Sequence, residues 1–225
     1  MEQKRLTLFA GHYGSGKTNI AVNYGLRLAG EGKKVCIADL DIVNPYFRTK
    51  DSAQELAAAG IELISPQYAN SNVDLPALPA ESYRLVQDKS IFGIMDIGGD
   101  DRGAYALGRF TPYILEEQDY RMAFVVNSCR PLTQTPEEAL EIMREIEQAC
   151  GLRFTCIINN ANLGPETTPQ ILLDSLPYIE KLCRISGLPL WMHAVEASLA
   201  DSLPAMDAPV LPMKLQKKIF DLPSI

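Results

Sequence analysis

Near the beginning of the chain stands the stretch Gly11-His12-Tyr13-Gly14-Ser15-Gly16-Lys17-Thr18. It matches the pattern G-x-x-x-x-G-K-[ST] of a phosphate-binding loop. An apolar run at residues 6–10 precedes it and predicts a buried strand. After it, Ile20, Ala21, Tyr24 and Leu28 recur at helical spacing, which predicts a helix with one buried face. A strand before the loop and a helix after it are the context that this motif requires.

A loop of this kind holds the phosphates of a nucleotide. Its glycines let backbone N–H groups point inward, and the following helix directs the positive end of its dipole at the anion. Lys17 is expected to reach the β- and γ-phosphates in a catalytic role, and the Thr18 hydroxyl to bind Mg²⁺. The predicted nucleotide-binding residues of the loop are Gly11, His12, Tyr13, Gly14, Ser15, Gly16, Lys17, Thr18 and Asn19.

The composition is typical of a globular domain. Of 225 residues, 47% are hydrophobic and 22% are charged, and one core can be buried well at this length, so a single domain, 1–225, is expected. The net charge of -7 and the lack of a Lys/Arg cluster in the sequence argue against a nucleic-acid partner. No apolar run approaches the roughly 20 residues of a membrane span. The chain leads straight into its first strand, and its cysteines form no C-x-x-C pair, so a cytoplasmic protein without a signal peptide is expected.

Strand-like apolar runs alternate with helical segments, which predicts a mostly parallel sheet with helices on both faces, a three-layer α/β P-loop NTPase fold. The predicted strands are residues 6–10, 34–39, 61–65, 91–96, 122–127, 154–159 and, as the last strand, 188–193. Further helices are predicted at residues 51–59, 80–88, 135–150 and 168–186. The Pro-interrupted segment 66–79 is predicted to be a long loop.

Asp96 ends a predicted strand and is followed by Ile97, Gly98 and Gly99. An acid at this place commonly helps to hold Mg²⁺ beside the phosphates in P-loop enzymes. The glycines would let the loop approach a γ-phosphate and rearrange when that group leaves. The alternative is an ordinary acidic turn after a strand.

Asp39 and Asp41 follow the second predicted strand, which we expect to lie beside the first strand. Ligands of open α/β sheets bind at the carboxyl ends of the strands. One of these two aspartates, preferably Asp41, is therefore expected to orient the attacking water or to complete the metal shell with Thr18 and Asp96. The alternative is that one of them only caps the following turn.

The phosphate loop, the D-L-D sequence at 39–41 and the D-I-G-G sequence at 96–99 together resemble the SIMIBI class of P-loop NTPases. Within that class the chain is similar, over nearly its whole length, to the MinD/ParA/Mrp-type ATP-binding branch (the CobQ/CobB/MinD/ParA nucleotide-binding domain). The resemblance implies an ATPase that uses ATP/ADP and Mg²⁺, and whose switch state or nucleotide-dependent homodimer acts on a partner protein. It also implies that Asp41 orients water and that Asp39 supports the metal site. The branch carries a signature lysine where this chain has His12, so the usual cross-subunit contact lacks its lysine.

The segment Asn159-Asn160-Ala161-Asn162 follows a strand at the place where P-loop NTPases recognise the base. Guanine selectivity usually needs an Asp, and this segment has amides only, so it resembles the branch's adenine reader. Asn159 or Asn160 is expected to contact adenine, with residues 194–197 closing over the base. An Asn-rich turn without this role is the alternative.

Two other functions compete with the switch. A small-molecule kinase or ligase related to dethiobiotin synthetase would need a second pocket, which residues 68–79 are expected to build. A membrane-recruited regulator would use the apolar face formed by Met213, Leu215, Ile219, Phe220 and Leu222. Docking of that segment on the protein's own core is favoured, so membrane binding is not expected.

Overall fold

A computed structural model describes residues 2–41, 49–65, 80–99 and 101–215, and these form one eight-stranded sheet. The strands run in the order β3-β2-β4-β1-β5-β6-β7-β8, and every neighbouring pair is parallel. The strands are β1 (Leu6–Ala10), β2 (Val35–Leu40), β3 (Glu62–Ile64), β4 (Phe92–Ile97), β5 (Tyr120–Val126), β6 (Cys156–Asn159), β7 (Leu190–Glu196) and β8 (Val210–Met213).

Helices connect the strands. The α-helices of the described residues are α1 (Lys17–Gly30), α2 (Ala53–Ala58), α3 (Arg84–Gln87), α4 (Asp101–Gly108), α5 (Thr111–Glu117), α6 (Pro136–Cys150), α7 (Pro169–Asp174), α8 (Leu176–Ser186) and α9 (Ala197–Ala200). Short 3-10 helices lie at Thr49–Ser52, Ala80–Tyr83 and Gly164–Glu166.

Successive strand residues point to opposite faces of the sheet, and each face is buried in a core of its own. Leu6 and Leu8 of β1 belong to the core shared with α4, α6 and α8. Phe9 belongs to a second core, where it meets Tyr24 of α1 edge to face, with ring centroids 5.6 Å apart, and stacks on Trp191 of β7. The predicted three-layer α/β fold is therefore confirmed.

The strand order corrects one expectation. β2 does not lie beside β1, because β4 pairs with both and separates them. In this register Asp96 of β4 lies opposite Phe9 on one side and Asp39 on the other. The carboxyl end of β4 therefore stands between the phosphate-binding loop and the aspartates of β2.

The end of the chain also differs from the prediction. The strand predicted at 188–193 is not the last, since β8 adds to its outer edge. Ala194 and Val195 are buried within β7, so residues 194–196 do not form a loop over the base. Met213 is buried in β8, while Ile219, Phe220 and Leu222 lie outside the described residues. In the part of the chain that is described, no helix has both the length and the apolar character needed to cross a bilayer.

Two helical regions depart from the sequence pattern. Helices α4 and α5 fill the stretch between β4 and β5, where no helix was predicted. The helix predicted at 168–186 is divided at Ser175, because Pro177 has no N–H to donate to the carbonyl four residues earlier. The loop predicted at 66–79 lies outside the described residues.

Helix α6 begins and ends as its sequence predicts. The Thr135 side chain accepts a hydrogen bond from the Glu138 N–H, the Glu138 carboxylate accepts from the Thr135 N–H, and Gly151 ends the helix in the left-handed region at φ 71. A capping box of this kind satisfies backbone donors that the first turn leaves without partners.

Thr135→Ala is expected to lower the free energy of unfolding by about 1 kcal/mol, because the helix loses its side-chain cap. Thr135→Ser keeps the hydroxyl and is the matched control. Urea denaturation measures both variants, and equal midpoints for alanine, serine and wild type would contradict the cap.

Candidate nucleotide-binding site

The phosphate-binding loop joins the carboxyl end of β1 to the amino end of α1, as the sequence predicts. Gly16 is the N-cap of α1 and has a φ of 92, a conformation that side chains disfavour. A Cβ at this position would also overlap the Asn160 amide nitrogen. The loop therefore requires glycine at residue 16, both for the backbone conformation and to leave room for the Asn160 side chain.

The polar groups of the loop are turned into the protein. Lys17 and Thr18 are buried, and the Lys17 ammonium donates to the His12 carbonyl oxygen over 3.2 Å. The buried Ser15 hydroxyl has no hydrogen-bond partner among the described residues. Buried polar groups are costly when unpaired, and a phosphate would supply oxygens for them. His12 itself is half-buried, and its ring Nδ1 lies at hydrogen-bond distance, 3.0 Å, from the Tyr13 carbonyl oxygen.

The Asp96 carboxylate is the most buried charge of the site, with 1% of the residue exposed. Oδ2 accepts a hydrogen bond from the Thr49 hydroxyl over 3.0 Å. Oδ1 has no partner among the described residues. Burial raises the pKa of Asp96 from 3.8 to about 6, against the lowering effects of the nearby Thr18 hydroxyl and Lys17 charge.

These residues fit a magnesium ion. Mg²⁺ prefers oxygen ligands and is commonly held by one or two carboxylates together with substrate phosphates and water. Thr18 offers a hydroxyl, Asp96 offers an oxygen that has no partner in the described part of the chain, and the Lys17 charge acts on Asp96. No group of three His, Cys, Asp or Glu that could hold a metal occurs in the described ranges, so the phosphates would have to complete the shell.

Asp39 and Asp41 are both buried at the carboxyl end of β2, where they have different surroundings. Asp39 Oδ1 accepts a hydrogen bond from the Asp41 N–H over 3.0 Å, so Asp39 caps its own turn, which is the alternative considered for it. Asp41 lies against the loop after β4, where a Cβ on Gly98 would stand 3.3 Å from its Oδ1. Asp41 is thus the one of the two that faces the glycine loop.

The loop after β4 contacts the phosphate-binding loop directly. A Cβ on Gly99 would stand 2.6 Å from the Tyr13 backbone nitrogen and 3.0 Å from the Lys17 ammonium nitrogen. Helix α4 begins two residues later, at Asp101. Only a glycine permits this approach, so a group that binds Lys17 must share space with this loop.

The structure separates the roles of the two candidate base-reading residues. Asn159 has no exposed surface; its Nδ2 donates to the Ser175 hydroxyl and to His193 Nδ1, and its Oδ1 accepts from the Ala161 N–H. Its amide is fully bonded inside the protein, so the prediction that Asn159 contacts a base gives way to a structural role. Asn160 instead donates to the Ser15 carbonyl oxygen over 2.6 Å and supports the phosphate-binding loop.

Three residues of the site escaped the sequence analysis. Thr49 bonds Asp96 across 47 positions of sequence. Asn127 follows β5 and bonds the backbone of Asn162, which joins the loops after β5 and β6. Arg130 lies with its Nε 4.0 Å from the place of a Cβ on Gly14. A polar residue directly after a strand was a signal for Asn127, whereas Thr49 and Arg130 carry no local signal.

No protein-family model matches this chain, and no curated protein matches it. Several solved structures do match the chain. FtsY of Thermotoga maritima superposes with a TM-score of 0.59 at 17% identity, over 86% of this chain and 62% of that one. FtsY of Elizabethkingia anophelis superposes with a TM-score of 0.56 at 15% identity, over 92% of this chain and 63% of that one. The signal recognition particle 54 kDa protein of Aeropyrum pernix, in complex with GDP, superposes with a TM-score of 0.53 at 19% identity. The match covers 84% of this chain and 41% of that one.

The chain thus spans about three fifths of the length of the FtsY chains that it matches. These neighbours belong to the SIMIBI class of P-loop proteins. At such identities the likeness shows the fold, and it does not distinguish the MinD/ParA-type branch from others. The chain has the fold of a P-loop NTPase.

The Asn160 contact to the phosphate-binding loop can be tested by substitution. Asn160→Asp replaces the donor with a carboxylate facing the Ser15 carbonyl, so nucleotide binding should weaken by about tenfold, which corresponds to about 1.4 kcal/mol. Asn160→Ala, which removes the bond without adding a charge, should weaken it less. Titration with fluorescent ATP and GTP analogues measures both variants, melting temperatures report the fold, and unchanged affinity in both would contradict this role.

The burial of Asp96 predicts a dependence of stability on pH. Because its pKa is higher in the folded than in the unfolded state, the folded protein binds more protons between the two values, and stability falls as the pH rises from about 4 to about 6. Asp96→Asn removes this cost, so at about pH 7.5 in EDTA it should be more stable than wild type by up to about 3 kcal/mol. Urea denaturation at about pH 5 and about pH 7.5 measures the difference. A variant less stable than wild type at the higher pH would contradict the assignment.

Proposed function

We propose that this chain is a magnesium-dependent nucleoside triphosphatase that acts as a nucleotide-driven switch on a partner protein. The observation that carries the proposal is the close approach of Gly99 to Tyr13 and to the Lys17 ammonium, which leaves no room for a side chain at residue 99. It joins the loop that would bind the phosphates to the loop that leads into α4. Hydrolysis at the phosphate-binding loop would therefore change the position of the loop that leads into α4.

The residues of the site have separate tasks in this proposal. The amides of the phosphate-binding loop and Lys17 position the phosphates and neutralise their charge. When bound, Mg²⁺ would neutralise charge that develops during phosphoryl transfer, and Thr18 and Asp96 would hold it. Asp41, beside Gly98, is proposed to orient the attacking water, and Asp39 holds the backbone of Asp41 in place.

The switch follows from the lack of space around Lys17. A γ-phosphate on Lys17 must displace or engage the loop at Gly99, and its departure reverses that change. Because α4 begins at Asp101, movement of the loop is transmitted to this helix. Helix α4 presents Tyr105, which is 66% exposed, and a change in its position would alter the surface that a partner meets. A nucleotide-dependent homodimer would use the same face.

Two observations about the nucleotide base favour different nucleotides. The segment after β6 offers amides and no carboxylate from Asn159 to Pro165, which favours adenine in the interpretation above. Two of the structural neighbours are in complex with GDP, which favours guanine. The proposal therefore names a purine nucleoside triphosphate, and competition between ATP and GTP decides between them.

The small-molecule kinase or ligase has no support of this kind. The residues expected to form its second pocket, 68–79, lie outside the described residues. Turnover that depends on an added small carboxylic acid would favour this function over the switch.

Lys17→Ala tests the proposal. It should abolish detectable binding of the fluorescent triphosphate or reduce turnover by about 100-fold or more, because it removes the positive charge at the γ-phosphate. Lys34→Ala is the charge-matched control, since Lys34 is exposed at the opposite edge of the sheet. The wild-type protein should bind ATP or GTP with Mg²⁺ and release phosphate slowly. Wild-type protein that binds neither nucleotide in excess Mg²⁺ would overturn the proposal.

A further inference from the structure

Thr49 connects a distant part of the chain to the proposed metal site. It is the first residue of the 3-10 helix that precedes α2, and none of its surface is exposed. Its hydroxyl donates to Asp96 Oδ2 over 3.0 Å. No sequence motif includes this residue.

The hydrogen bond divides the two oxygens of the Asp96 carboxylate. Oδ2 is occupied by Thr49, while Oδ1 has no partner among the described residues. A hydroxyl that donates to a carboxylate makes a charge-assisted bond with a defined direction. The bond therefore limits rotation of the carboxyl group and leaves a single oxygen for a further ligand.

A purely structural role explains this arrangement poorly. A buried polar pair adds stability when its atoms are satisfied, and here one carboxylate oxygen receives no hydrogen bond from any residue that the structure describes. Two buried apolar side chains would avoid this cost. A buried carboxylate with one fixed and one unpartnered oxygen is instead what a metal site requires, because outer partners orient the groups that hold the ion.

We propose that Thr49 is a positioning residue for the metal: by holding Oδ2, it directs Asp96 Oδ1 to the Mg²⁺ site shared with Thr18. The inference rests on the proposed nucleotide-binding function and adds a residue to it.

Thr49→Val tests the inference, since valine keeps the branched shape and lacks the hydroxyl. The dissociation constant of Mn²⁺ from its complex with protein and a non-hydrolysable ATP or GTP analogue, measured by electron paramagnetic resonance, should rise by about tenfold or more. Thr49→Ser retains the donor and should restore tight Mn²⁺ binding. Binding of the nucleotide analogue in EDTA should be the same in all three proteins, because the metal is then absent.

Thr7→Val is the matched control. Thr7 is a second buried threonine, 1% exposed on β1, and its hydroxyl has no hydrogen-bond partner among the described residues. Its substitution should leave Mn²⁺ affinity unchanged. If Thr49 were only structural, Thr49→Val would lower the melting temperature of the metal-free protein and leave Mn²⁺ affinity as in wild type.

The outcomes separate this inference from the proposed function. Wild-type protein that binds no purine nucleotide refutes both. Wild-type protein that binds the Mn²⁺ complex, with Thr49→Val binding Mn²⁺ equally well, refutes only the role of Thr49. Should the valine variant fail to fold, Thr49→Ala, which places no second methyl group against the carboxylate, gives the same comparison; failure of both variants to fold while the serine variant folds would mean a structural role and would overturn the inference.

Discussion

The site depends on one buried carboxylate. Asp96 lies at the centre of a parallel sheet, where water does not reach it, and an ionised group in such a place requires positive charge and hydrogen-bond donors. The protein supplies Lys17, Thr18 and Thr49, and within the described ranges one oxygen of the carboxylate has no partner. The folded protein therefore carries an energetic cost that binding of a cation can relieve. This is a reason for the metal and the phosphates to bind together at this point.

The strand order makes the cluster possible. Because β4 lies between β1 and β2, the carboxyl ends of three neighbouring strands bring the phosphate-binding loop, Asp96 and the Asp39–Asp41 turn to one edge of the sheet. Parallel strands direct all their following loops to that edge, and ligands of open α/β sheets bind there. On the other side of β1, Asn160 after β6 reaches across to the Ser15 carbonyl. The phosphate-binding loop is thus supported from both sides.

A site of this kind can transmit a change because its loops are in direct contact. Gly99 approaches the phosphate-binding loop so closely that a side chain would not fit between them, and α4 begins two residues later. Close-packed groups move together or exchange one arrangement for another, since they cannot be compressed. The exposed Tyr105 on α4 is the part of this path that a partner would meet.

The sequence by itself determined the features that depend on near neighbours along the chain. The phosphate-binding loop between a strand and a helix and the bounds of α6 were predicted, because each depends on residues close together in the sequence. The α/β class followed from the alternation of apolar runs. Only the tertiary structure decided that β4 separates β1 from β2, that Asn159 is bonded inside the protein, and that Thr49 reaches Asp96. These features depend on contacts between residues far apart in sequence, and hydrophobic periodicity carries no information about which strands become neighbours.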